Sequence, residues 1–334
     1  MIVQHWLTKS HCCGIIRQRE GRREPLAMSG LAALVGMRRE KERARIDIAA
    51  SALTGEPFGH TLLEGIGGCG KTAFARAIAE ELGYHTIVVE GAALKTRDHV
   101  INRLVSAHEE AQSLGKRLLL FIDEVHRLSG PQQEVFYYPM DRVDPRITTA
   151  NKTIHFKPFT LVAATTRKDI LDQASFVNRF SNIWRISRFS VSDICMILTE
   201  HFTRKNMSYD LAILNVIAQR SLGIPRQALR LADKVINRTL SCGRCDIATE
   251  DCEVVFKLEG IDKNGLSELH IAYLQVLAEA QGQPRGLDGV AAAISEHRDV
   301  VAGTIEPTLL SLRLIDRSPR GRVITSKGLG YLTK

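Results

Sequence analysis

Gly65-Ile-Gly-Gly-Cys-Gly-Lys71-Thr72 gathers glycines, a lysine and a hydroxyl into one short stretch, a combination suited to phosphate. Glycine at Gly65, Gly68 and Gly70 lets backbone N–H groups curl around a β-phosphate with no Cβ in the way. Lys71 would neutralise the β- and γ-phosphates. Thr72 would offer its hydroxyl to Mg²⁺, beside Ala73, in the first turn of a helix whose dipole favours anions. Downstream, Leu119-Leu-Phe-Ile-Asp123-Glu124 is an apolar run ending in two acids. A strand of this kind delivers Asp123 to the metal and leaves Glu124 to orient and activate a water. The acid pair favours hydrolysis over phosphoryl transfer to a second substrate. A nucleoside triphosphate and Mg²⁺ are the expected ligands.

Such side chains need a scaffold that brings them to one edge. Thr61–Glu64 reads as a short buried strand before the loop. Lys71–Leu82 reads as a helix with Phe74, Ile78 and Leu82 on one face. A strand over 85–90 and a helix over 98–114 follow. Residues 117–123 and 159–165 are continuous apolar strands. Short apolar runs alternating with helical patterns predict an α/β fold with a parallel sheet covered on both faces. After about Arg188 the strands stop. Helices are predicted over 191–204, 212–219, 226–240 and 249–258, an all-helical unit. Gly260-Ile-Asp-Lys-Asn-Gly265 is a turn-rich hinge. Beyond it, helical patterns and a basic hairpin over 314–325 come in the order of a winged helix. The expected division is a basic extension over 1–30, a nucleotide-binding domain over 31–187, a helical lid over 188–260 and a winged helix over 261–334.

Composition narrows the class. With 44% hydrophobic and 25% charged residues, the 334-residue chain falls among ordinary globular proteins rather than disordered, collagen-like or coiled-coil ones. No apolar run approaches the ~18 residues of a membrane helix, so a soluble protein is expected. A net charge of +8 suits an anionic partner where basic residues gather. They gather at Arg317, Arg320 and Arg322, a tight turn punctuated by Pro319 and Gly321. In isolation they read as a solvated basic turn; at the end of a winged-helix pattern the expected use is contact with DNA phosphates, indifferent to base sequence. With no aromatic among them, base stacking is not expected. Cys242-Gly-Arg-Cys245 with Cys252 has the start of a zinc-site spacing, but no fourth ligand lies close by; reduced thiols are expected. The first thirty residues interleave Arg17, Arg19, Arg22 and Arg23 with Glu20 and Glu24. They match neither a signal nor a transit peptide and read as a solvated extension, with Met28 a candidate start.

Asp123-Glu-Val-His-Arg-Leu128 resembles the DEIHRL signature of the RuvB family, the AAA+ motors of Holliday-junction branch migration. The likeness continues through Tyr138-Pro-Met140, Pro158-Phe-Thr-Leu-Val-Ala-Ala-Thr-Thr-Arg167, Asn178-Arg-Phe180 and Gly223-Ile-Pro-Arg226. It ends with Gly265-Leu266 and Arg317-Ser-Pro-Arg-Gly-Arg322, and so spans Leu31 to the C-terminus in collinear order. The resemblance implies an AAA+ P-loop ATPase domain with ATP as its nucleotide, a helical lid and a DNA-binding winged helix with Arg317, Arg320 and Arg322 on its wing. It also implies a homo-hexamer on double-stranded DNA and four-way junctions, a RuvA-like partner, and a cytoplasmic, nucleoid-associated location. By position, Thr166 resembles the hydroxyl that senses the γ-phosphate, and Arg179 the arginine finger that serves a neighbouring subunit. Arg226 resembles the lid arginine aimed at the nucleotide in cis, and Val35 and Gly36 the segment that packs on adenine. Ile66, Gly67 and Cys69 replace two prolines and a leucine of the family loop, and Ser181 replaces a glycine. The segment 142–156 is shorter than the family's partner-docking hairpin and carries Arg and Lys at its tip. That change keeps a second reading open: a RuvB-derived ATPase acting as loader, adaptor or regulator without moving junctions.

Overall fold

A computed structural model describes residues 30–149 and 152–333. The basic extension expected at the N-terminus, save for Gly30, lies outside them. Seven strands precede Arg188: β1 (Thr61–Glu64), β2 (His85–Glu90), β3 (Leu118–Asp123), β4 (Arg146–Thr148), β5 (Thr153–His155), β6 (Thr160–Thr165) and β7 (Asn182–Arg185). Five of them form one sheet in the order β2-β3-β6-β1-β7, every neighbouring pair parallel. β4 and β5 form a small antiparallel hairpin.

Alternation sorts the strand side chains to two faces. Leu118, Leu120 and Ile122 join one core, under the helix Arg97–Ser113. Leu119 and Phe121 join the other, under the helix Lys71–Leu82. Both faces of β3 and β6 are thus covered, which is why these strands read as unbroken apolar runs. β7 carries no such run. It is fixed by Trp184, whose buried ring meets Phe58 and Phe74 edge-on at centroid distances of 6.2 and 5.9 Å. Because the strands are parallel, β1, β3 and β6 all end at one edge, and the loop after β1 emerges among them.

The helices Val191–Arg204, Leu211–Arg220, Pro225–Ser241 and Thr249–Leu258 enclose a separate core that includes Leu198, Phe202, Ile217, Leu231 and Phe256. The sequence predicts an all-helical unit here, and the structure departs from it. A two-residue parallel ladder joins β8 (Ser208–Tyr209) to β9 (Asp246–Ile247). Tyr209 lies against Phe202, with centroids 5.1 Å apart, and Ile247 is buried. Both stretches must extend to reach that core. Between Cys242 and Cys245, both exposed, Arg244 reaches the buried carboxylate of Asp251 with bonds of 2.7 and 2.8 Å. Cys252 is buried, and burial pushes its thiol up to about 12.

The C-terminal unit packs Tyr273, Leu274, Leu277, Val290, Leu309 and Ile315 into a fourth core. Its helices include Glu268–Glu279, Leu287–Ala293, Glu306–Ser311 and Ser326–Leu332, with an antiparallel ribbon of β10 (Ile315–Ser318) and β11 (Gly321–Ile324). The first three of these helices followed by the ribbon make a winged helix, and Ser326–Leu332 closes it. Among the described residues, no helix is long and apolar enough to cross a membrane.

Candidate ATPase site and DNA-binding wing

Gly68 and Gly70 take φ of +82° and +83°, the left-handed region that only glycine enters without strain. A Cβ on Gly68 would also stand 2.8 Å from the Cβ of Arg226, so its absence lets the lid lie directly on the loop. There the Arg226 N–H donates to the Gly68 carbonyl at 3.3 Å. Gly70 opens the helix Lys71–Leu82, aiming its free N–H groups at the loop's concave side. The Lys71 ammonium donates to the carbonyls of Gly65 and Ile66 at 2.8 and 3.1 Å. Burial lowers its pKa, against the opposing charges of Glu124 and Asp123.

The pair expected to hold the metal lies together: the Thr72 hydroxyl donates to Asp123 Oδ2 at 3.0 Å. A hydroxyl and a carboxylate at that spacing are the hard oxygen donors Mg²⁺ takes, so the residues fit the ion. The next residue leaves β3 sharply. Glu124 has φ +51°, a conformation that disfavours any residue with a side chain, by about 1–3 kcal/mol. Its carboxylate is held from two sides. The Thr166 hydroxyl, just past the end of β6, donates to Oε2 at 3.0 Å. His126 Nδ1 lies 3.0 Å from the same oxygen and 3.2 Å from the Thr165 hydroxyl. Burial lowers the His126 pKa, although Glu124 pulls the other way. His126 was not singled out from sequence. Its only signal was its place two residues after Glu124 in the acidic string.

Gly68, Lys71, Thr72, Asp123, Glu124 and Arg226 all line one cleft of about 610 Å³, joined by Gly70, Ala73 and, from the lid, Arg230 and Asp233. Arg179 lies apart from it. Its guanidinium is exposed on the short turn Val177–Arg179, donates to the Tyr137 carbonyl at 2.6 Å and rests 4.7 Å from the Tyr137 ring centroid. Val35 and Gly36 do not line the phosphate cleft either. They lead into Met37, whose methyl lies where a Cβ on Gly70 would fall, and Gly36 itself packs beneath the Phe189 ring.

The family model described as the Holliday junction DNA helicase RuvB P-loop domain matches residues 26–186, and the RuvB C-terminal winged helix domain matches 263–333. The chain belongs to the RuvB family. It is 34% identical over 337 residues to the Holliday junction branch migration complex subunit RuvB of a Synechococcus species, covering 95% of this chain and 89% of that one. The corresponding subunit of Pseudothermotoga lettingae is 34% identical over 310 residues, covering 90% and 88%. A solved structure of the Thermotoga maritima RuvB Holliday junction branch migration motor is similar at 30% identity and a TM-score of 0.78, covering 90% of this chain and 95% of that one.

In this RuvB-family chain the wing is built around a buried acid. Glu306 is fully buried, with Oε1 accepting from the Tyr273 hydroxyl at 2.6 Å and from Arg322 Nε at 2.6 Å. Oε2 accepts from Arg322 Nη2 at 3.3 Å and from Arg317. The sequence had suggested three equivalent phosphate contacts. In the structure Arg322 is tied into the domain and Arg317 is half-committed, while Arg320 is exposed with no side-chain partner among the described residues. Burial opposes ionisation of Glu306, but hydrogen bonds from Arg322, Tyr273 and Arg317 outweigh it and hold the carboxyl below its usual range. A depressed folded-state pKa contributes stability above the unfolded value, lost as pH falls through the folded one. Glu306→Ala should therefore destabilise the winged helix by about 1–3 kcal/mol near neutral pH, because it leaves the buried Tyr273 phenol and the partly buried Arg322 guanidinium without their acceptor. Thermal melts of parent and variant should converge as the medium is acidified below the ordinary glutamate range. A constant gap down to acid pH would show that the carboxylate's charge does not hold the wing.

Proposed function

We propose that this chain is an ATP-hydrolysing, Mg²⁺-dependent motor that moves duplex DNA at four-way junctions, working as a hexameric ring. One observation carries this reading: phosphate loop, acid pair and lid arginine line one cleft, with Thr166 bonded to Glu124 behind it, while Arg179 points elsewhere. A site that lacks its finger within the subunit is what a shared, subunit-bridging site requires. When bound, Mg²⁺ supplies positive charge at the phosphate oxygens, held by Thr72 and Asp123. Lys71 exchanges its two loop carbonyls for phosphate oxygens. Glu124 takes a proton from the attacking water, and the Thr166 hydroxyl sets the angle at which the carboxylate waits. Arg179 of one subunit brings positive charge to the γ-phosphoryl held by the next. Arg226, bonded through its N–H to the loop, carries the response into the lid. Val35 and Gly36 would flank the adenine. The site of action is the cytoplasmic nucleoid.

Arg320 and the exposed half of Arg317 are the phosphate contacts in this reading, and Arg322 shapes the wing that presents them. Arg320→Ala should weaken binding to a junction and to plain duplex by similar factors, since backbone contacts carry no sequence information. It should also flatten log K against log salt by about 0.9. A titration over several salt concentrations that leaves the slope unchanged would take Arg320 off the DNA. The whole reading is tested by branch migration on a synthetic four-way junction, with and without a RuvA-like protein. Such a partner would dock on the β4–β5 hairpin, beside which Tyr138 and Val143 are 64% and 94% exposed. ATP turnover without strand exchange under both conditions would replace the motor by a loader or regulator.

A further inference from the structure

Arg188 sits on the short connection between β7 and the lid, where three units meet, and it does not line the nucleotide cleft. Its half-buried guanidinium makes two bonds to two different units. Nη1 donates to the Leu222 carbonyl of the lid at 2.6 Å, and Nη2 donates to the Thr308 hydroxyl of the winged helix at 3.3 Å. The adjacent Phe189 N–H donates to the Gly223 carbonyl at 2.9 Å, so the connection grips the same lid turn twice.

That turn is a junction in itself. Leu222 is held at φ +56°, the left-handed region, and its side chain packs on the core of the winged helix. Two and four residues further on, Ile224 and Arg226 lie on the phosphate loop, where a Cβ on Gly68 would meet them at 3.1 and 2.8 Å. On the other side, Thr308 is buried in the helix Glu306–Ser311, which also carries the carboxylate that holds Arg317 and Arg322. Every step from Gly68 to the ribbon is a hydrogen bond, a packed contact or a single turn of chain. Leu222 pushed away from Arg188 would leave a half-buried guanidinium short of an acceptor while it stays bonded to Thr308, so the lid turn and the helix that carries Thr308 are better off moving together.

We propose that Arg188 is a positioning residue that makes the winged helix follow the lid, so that the nucleotide in the cleft sets how tightly the wing holds DNA. This rests on the motor reading above. A ligand shifts DNA affinity only through a difference in contact between two arrangements, and Arg188 supplies the shared contact.

Three full-length variants separate this role from a merely structural one. In each, duplex affinity is measured by fluorescence anisotropy with a non-hydrolysable ATP analogue and with ADP, alongside ATP affinity and DNA-free hydrolysis. The parent's ratio of the two DNA affinities should fall in Arg188→Met by at least about fivefold toward unity, the lower end of ordinary coupling between sites. ATP affinity and DNA-free turnover should stay within about twofold, since Arg188 is outside the cleft. Thr308→Val, which removes one hydroxyl and little volume, should shift the ratio the same way by less. Arg188→Lys should recover only part, because one ammonium cannot span both acceptors as a planar guanidinium does. An unchanged ratio in a folded Arg188→Met protein overturns the proposal. So does an unchanged ratio in Thr308→Val if Arg188→Met fails to fold, as does loss of ATP affinity in parallel with the ratio. A parent whose DNA affinity ignores the nucleotide would sink the motor reading as well, and that result is visible before any variant is made.

Discussion

Glu124→Gln protein is expected to bind ATP as the parent does and to hydrolyse it more slowly by about 10²–10⁴-fold, the usual contribution of a positioned general base. The amide keeps the size of the carboxylate and can still accept from the Thr166 hydroxyl, so the local structure should persist. It cannot take a proton from water. Lys71→Ala should behave differently, losing nucleotide binding itself, because the loop then offers only backbone dipoles to a highly charged triphosphate. Equilibrium binding of a fluorescent ATP analogue, beside single-turnover hydrolysis, distinguishes the two. Parent-rate hydrolysis by Glu124→Gln would move the base elsewhere, and His126, 3.0 Å from the same oxygen, would be the next group to test.

Arg179→Ala should reduce turnover by about 10³–10⁵-fold, the span found for arginine fingers, while leaving ATP bound in each subunit's own cleft. The guanidinium lies on the Tyr137 face of its subunit and serves no residue of the cis cleft, so the loss should be one of trans catalysis. Mixing Arg179→Ala with Glu124→Gln subunits gives a sharper result. Each is inactive alone, but a mixed ring contains interfaces where an intact Glu124 faces an intact Arg179, and those should hydrolyse ATP. Verified mixed rings with no recovered turnover would show that the two residues do not share a site.

The nucleotide cleft was legible because its chemistry depends on local spacing. A glycine-rich turn between strand and helix fixes backbone donors, Lys71 and Thr72 within one continuous segment. Asp123 and Glu124 were readable because β3 is buried on both faces and announces itself as an apolar run. The features that escaped depend on distance through space. Glu306 lies eleven and sixteen residues from the arginines it binds, in a stretch that reads as an ordinary helix. Nothing in its neighbours marks it as buried. Arg188 is one charge among many until the fold places Leu222 and Thr308 on either side of it. β7 and the β8–β9 ladder escaped for another reason. They are too short, or too polar on alternate positions, for periodicity to separate them from loop, and a single ring or a buried isoleucine fixes each.

The buried carboxylate beneath the wing also bears on the tempo of DNA capture. Glu306 offsets one of the two guanidiniums it binds, so that cluster projects a weaker field into solution than two arginines would. Long-range attraction mainly sets how fast a charged partner arrives, whereas close, well-oriented contacts mainly set how long it stays. The wing is thus better suited to holding a duplex already at hand than to drawing one from afar. In the motor reading, substitutions at Arg317 and Arg322 should change residence on DNA more than the arrival rate, whereas Arg320, which Glu306 does not offset, should affect arrival as well.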